Sequence, residues 1–211
     1  MVLITTATPA QQVVDKTVAV VRDPTRSELI TYSDLLWQLA LEPNVPLDPP
    51  RSEDLNRALQ TLIDQRLFAL EAKRLPRDPP SAKEIADEIH DTVARFPSPA
   101  AFEARLRLVG FQSVKDESFE RLISDRVAIN KYVDFRFKSF VVVTADEEKQ
   151  YYTDTYVPDF RRRSPGLLVP TLDEKRREIH ETLILRKVSA EIDAFLERAK
   201  SRTTVDLLSP V

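Results

Sequence analysis

Residues 171–208 read TLDEKRREIHETLILRKVSAEIDAFLERAKSRTTVDLL, and the organisation of the chain follows from how this stretch is read. Thr171 and Glu174 stand at capping-box spacing, and Ile179, Leu183, Val188, Ile192, Phe195 and Leu196 follow at helical spacings until about Ser201. At about 1.5 Å per residue such a helix spans roughly 45 Å, more than one compact core needs, so it is expected to run along the whole molecule. After it, TTVDLL at 203–208 is a short strand-like tail. Its natural partner is VVDKTVAVV at 13–21, because a lone strand leaves its backbone groups unpaired.

Working back from that helix, the sequence predicts a mainly α chain with a small sheet built from both ends. Residues 28–32, ELITY, form a second β-favouring run after a polar turn. Ser33 and Asp34 offer an N-cap and acidic first turn for a helix carrying Leu35, Leu36, Trp37 and Leu39, which ends before Pro43. Ser52 opens a helix with Leu55, Leu59, Leu62, Ile63, Leu67 and Leu70 on one face, stopped by Pro76. Ser81 and Glu84 form a capping box before Ile85, Ile89 and Val93, and 98–109 is a helix closed by Gly110. A long helix from about Val114 to Phe137 follows, then a β-like Val141-Val142-Val143, then a short helix opened by the Thr144/Glu147 box and bearing Tyr151, Tyr152 and Tyr156. Residues 157–170 read as an irregular linker of 14 residues.

Composition narrows the function classes. With 211 residues, 42% of them hydrophobic, the chain can bury a sizeable core. A net charge of only −3, with both signs interleaved, argues against general attraction to nucleic acid or anionic lipid, so no nucleic-acid partner is expected. Two glycines, Gly110 and Gly166, are too few for a phosphate-cradling loop. The absence of cysteine removes disulfide and thiolate chemistry. No apolar run approaches the 18 or so residues that span a bilayer, so membrane insertion is not expected. MVLITTATPA at 1–10 reads either as the tail of a trimmed export signal or as a plain N-terminal extension. His90 and His180 lie in separate charged helices without ligand partners at i+4, and read as solvent-exposed helix histidines; no metal, cofactor or catalytic residue is assigned. Arg161-Arg162-Arg163 is too short a basic run to be a nucleic-acid site.

Six pieces, in this order, resemble the SurA-like periplasmic chaperone and peptidyl-prolyl isomerase family: VVDKTVAVV (13–21), LIDQRLFALEAKRL (62–75), PSAKEIADEI (80–89), FEARLRLVGF (102–111), VTADEEKQYY (143–152) and the segment 177–208. The resemblance implies an N-terminal helical chaperone region over 13–156, preceded by a leader remnant or extension at 1–12, with 171–211 packing back on it as a long helix and strand. It also implies export to the periplasm and unfolded or outer-membrane polypeptides as clients. In the family a parvulin isomerase domain sits where 157–170 lies here, and 14 residues cannot fold one, so isomerase activity is not carried over. Tyr132, Phe135, Phe137, Phe140, Tyr151 and Tyr152 are the candidate peptide-binding residues, since aromatic rings give broad apolar contact; the alternative is that they fill the core. Two other readings stand beside the chaperone: an interaction module whose terminal helix is exchanged in a homodimer, and an isomerase with an unfamiliar site.

Overall fold

The architecture is taken from a computed structural model, which describes residues 15–74 and 78–211. Three antiparallel strands form a sheet in the order β2-β1-β3, with β1 (Thr17–Arg22) between β2 (Ser27–Thr31) and β3 (Thr204–Leu207). The two ends of the chain therefore meet, with Ala19 opposite Leu207 and Arg22 opposite Thr204. Val18, Ala19, Val20 and Val21 are all buried, as a central strand covered on both faces requires. Val13 and Val14 of the expected strand lie outside the described residues.

The first helix, α1 (Tyr32–Ala40), starts earlier than the sequence reading placed it. Thr31, not Ser33, is the cap: its hydroxyl accepts from the Asp34 N–H at 3.2 Å, and the Asp34 carboxylate accepts from the Thr31 N–H at 3.0 Å. This reciprocal pair outweighs the β preference of Tyr32. Helices α2 (Ser52–Ala72), α3 (Ala82–Ala94), α4 (Pro99–Leu108) and α5 (Glu117–Val133) follow where the apolar periodicity puts them, and Gly110 takes the left-handed conformation after α4 with φ 100°.

Two hydrophobic clusters result. One joins the sheet to α1, α2 and the second half of the terminal helix, around Ile30, Leu35, Leu59, Leu67, Phe68 and Phe195. The other, around Phe96, Phe102, Phe111, Phe119 and Ile123, joins α3, α4 and the first half of α5. Helices α1 and α5 serve both: Leu39 and Tyr132 belong to the first cluster, while Trp37 packs against the second and Val127 belongs to it.

Beyond α5 the helix widens into a π-helical turn, Asp134–Lys138. Residues 141–143 are not a strand. Helix α6 (Ala145–Tyr151) passes through a second π turn, Tyr152–Tyr156, into α7 (Val157–Arg163). The expected linker is thus helical as far as Arg163, and only 164–170 is irregular. Pro158 suggests a break, but it falls in the first turn of α7, just past the widened turn, where a missing N–H costs little. Helix α8 (Leu172–Lys200) has 29 residues, about 43 Å, opened by the Thr171/Glu174 box. Its second half packs on α2 and the first π turn, its first half on α6.

Candidate polypeptide-binding surface

The π turn after α5 sorts the aromatic residues that the sequence leaves undivided. In an α-helix, residues five apart point about 140° away from each other; a turn bonded i to i+5 brings them back toward one face. Tyr132 and Phe137, five apart, both turn inward and are buried. Their rings join those of Phe68 and Phe195: Phe68 stacks on Phe195 at 5.2 Å, Phe137 meets Phe195 edge-on at 5.4 Å, and Tyr132 meets Phe137 edge-on at 6.4 Å. These two side chains fill the core, the second of the two readings open to them. Phe135 and Phe140, also five apart, face outward and are 44% and 70% exposed, in edge-to-face contact at 5.9 Å.

Tyr151 and Tyr152 belong to a different place. Both are half-buried on the α6–α7 rod. The Arg186 guanidinium lies 4.7 Å from the Tyr151 ring, while Tyr152 donates its hydroxyl to the Pro170 carbonyl at 2.9 Å. Tyr152 also stacks on Tyr156, and Tyr156 on Phe160, at 5.7 and 6.0 Å, so three rings run up one side of the rod. Tyr156 and Ile179 are buried without belonging to either main cluster, and mark a small separate core where the rod meets α8.

Polar contacts hold the rod in register with α8. The Glu148 carboxylate is buried and pairs with His180 Nδ1 at 2.7 Å and with Arg176 at 3.3 Å. His180 is thus not simply a solvated helix histidine: helix pairing brings it against Glu148, a contact 32 positions away in sequence. His90 is exposed. Lys187 pairs with Glu147 at 2.6 Å and donates to the Val142 carbonyl at 2.7 Å, tying the extended 141–143 segment to α8.

Exposed apolar side chains are concentrated in this stretch of the chain. Among the described residues ten large hydrophobic side chains are exposed, and six of them, Phe135, Phe140, Val142, Leu167, Leu168 and Leu185, fall between the first π turn and the middle of α8. Leu168 is 95% exposed. It follows Gly166, whose positive φ of 86° shapes the 164–170 loop, and a Leu167 N–H to Ser164 carbonyl bond of 3.3 Å closes the turn. Of these six, Val142, Leu167, Leu168 and Leu185 are not among the candidate peptide-binding residues that the sequence offers. The signal for the leucine pair was the apolar run Leu167-Leu168-Val169 beside Arg161-Arg162-Arg163, with no periodic partner. Arg162 of that basic run pairs with Asp159 at 2.7 Å.

Among the described residues no cluster of three or more His, Asp or Glu has metal-binding geometry, and no helix is long and apolar enough to cross a membrane. No protein-family model matches the sequence, and no curated protein is significantly similar to it.

Proposed function

We propose that the chain is a non-enzymatic holdase of the SurA type, acting in the periplasm, which binds extended segments of unfolded or outer-membrane clients without ATP or cofactor. The observation that carries this reading is the exposure of Phe135, Phe140 and Val142 at and after the first π turn, of Leu167 and Leu168 on the loop that follows the rod, and of Leu185 on α8. Scattered exposed leucines need no explanation, whereas a concentration on one part of a molecule marks an interaction surface. Aromatic and aliphatic side chains give non-directional apolar contact that tolerates many client sequences. The return of the terminal helix and strand onto the N-terminal sheet agrees with the SurA-like arrangement that the six ordered sequence pieces suggest.

Aggregation of a denatured outer-membrane-type client, followed by light scattering, tests the reading. The protein should suppress scattering near equimolar ratio, and the quadruple variant F135S/F140S/L167S/L168S should lose most of that effect while keeping its circular dichroism. Full suppression by the folded variant would remove this surface from the mechanism, and no suppression by the parent chain would remove the holdase.

A further inference from the structure

A second feature lies on the body rather than on the rod. Where the end of α8 crosses α2 and the first π turn, two adjoining hollows of about 410 Å³ and about 360 Å³ share Glu71 and Arg202. The larger has the Tyr132 and Phe195 rings in its lining and carries three guanidinium groups, Arg136, Arg198 and Arg202, against one carboxylate, Glu71. That carboxylate is already engaged: Arg74 holds it at 2.9 Å and Arg202 at 3.8 Å. In the smaller hollow Asp23 is likewise spent, accepting from Thr25, Arg26 and Arg74. Among the described residues Arg136 and Arg198 pair with no carboxylate, and Arg136 only rests its guanidinium 5.4 Å from the Phe137 ring.

One simple account of such a cluster is compensation of the negative C-terminal end of α8. It covers Arg202, whose Nε donates to the Arg198 carbonyl at 3.1 Å. It does not cover Arg136, which arrives from a different helix and lines the same hollow. Two guanidiniums with unused donors above an aromatic floor, in a chain whose net charge is −3, match an anion attached to an apolar group. Residues 1–14 contain no Asp or Glu, so that segment of the chain itself lacks the complementary charge.

We infer that this hollow is a carboxylate subsite of the client-binding surface, taking a polypeptide carboxylate that stands beside an aromatic or aliphatic side chain between Arg136 and Arg198. The inference rests on the polypeptide-binding reading and adds a charge requirement to it. The carboxylate can be a chain terminus or a Glu or Asp side chain, and the probe peptides separate the two.

Fluorescence anisotropy with three labelled, unstructured, aromatic-rich decapeptides provides the test: one with a free C-terminal carboxylate, one amidated, and one amidated with an internal Glu beside a Phe. The full chain should bind one or both carboxylate peptides about tenfold more tightly than the plain amide, a ratio that about 1.4 kcal/mol supplies. The preference should shrink at 1 M salt, where the screening length is about 3 Å. R136Q/R198Q should reduce the preference below about twofold; each single variant, with an exposed side chain that bonds to nothing in the fold, should do so in part. R107Q, on α4, should keep it. Equal affinity for all three peptides would overturn the subsite and leave the holdase standing. A tenfold preference retained by the folded double variant would overturn the placement at Arg136 and Arg198. Binding of none of the three would overturn both readings together.

Discussion

Replacing Phe195 with alanine removes the ring through which α8 grips the body. The side chain is 6% exposed and has three ring neighbours: Phe68 stacked at 5.2 Å, Phe137 edge-on at 5.4 Å and Tyr132 at 6.5 Å. A buried Phe→Ala change costs about 3–5 kcal/mol through lost transfer energy and the cavity left behind. Loss of three aromatic contacts puts this site at about 4 kcal/mol or more. For a chain of this size a urea slope of about 3 kcal/mol/M applies, so the midpoint should fall by about 1.3 M. F195L, which keeps most of the volume, should cost about 1 kcal/mol. Two probes can be followed together: far-ultraviolet circular dichroism, and fluorescence of Trp37, the single tryptophan. Trp37 sits in the other cluster, 5.0 Å from Phe111, with its indole N–H donating to the Val109 carbonyl at 3.1 Å. Because α1 and α5 contribute to both clusters, the two transitions should move together. A Trp37 curve that stays in place while the dichroism curve shifts, or a midpoint change below about 0.3 M, would refute the coupling and the role of Phe195.

Three further outcomes follow from single sites. I179A should abolish hydrogen-exchange protection in α6, α7 and the first half of α8 while leaving the Trp37 transition in place, because Ile179 is buried outside both main clusters; a full global shift would contradict a separate small core. R105M should lower the melting temperature by roughly 4–8 °C, the equivalent of about 2 kcal/mol, since Arg105 donates to the carbonyls of Leu39 and Ala40 at the end of α1 and of Glu42 and Val45 beyond it; no change would show that water replaces those bonds without cost. E84Q should flatten the acid side of the stability profile. The Lys131 ammonium at 2.7 Å and the Ser81 cap hold the Glu84 carboxyl at about 2, below its ordinary 4.5, so its contribution is complete above about pH 4.5 and lost as pH falls toward 2. Thermal melts of parent and variant across that window check the sign, and parallel profiles would refute it.

Helices were legible because they announce both an end and a face. Ser81/Glu84, Thr144/Glu147 and Thr171/Glu174 each form the reciprocal cap their spacing promised, and the leucine stripe of α2 is buried from Leu55 to Leu70. The pairing of the two terminal segments was legible from backbone accounting alone. Other features had no signal at a period of 3.6. The π turns invert which aromatics share a face, so Phe135 and Phe140 could not be told from Tyr132 and Phe137 by helical spacing. Thr31 carries no ordinary capping-box signal, because its reciprocal partner is Asp34 rather than Glu or Gln. Helix α7 was hidden by Pro158, and the Glu148–His180 contact by a separation of 32 positions. Exposure of Leu168 is a property of packing, which no local pattern carries.

The two halves of α8 do different work, and their difference bears on binding. From Val188 onward the helix packs into the larger cluster through Ile192, Phe195, Leu196 and Ala199. Before that it meets the α6–α7 rod and the 141–143 segment through Glu148 and Glu147, paired with Arg176, His180 and Lys187, the Arg186–Tyr151 contact and the Lys187–Val142 bond, several of them partly exposed to water. Partly exposed ion pairs add little stability and buried apolar contact adds much, so the rod is the part of the molecule that opens at least cost. The exposed leucines and the Phe135–Phe140 pair lie on and beside that part, while the arginine hollow lies where α8 is anchored. On the proposed holdase reading, a client segment held by its charge at the anchored end would meet an apolar surface free to adjust to it, and such a site would accept unrelated sequences without a sequence-specific pocket.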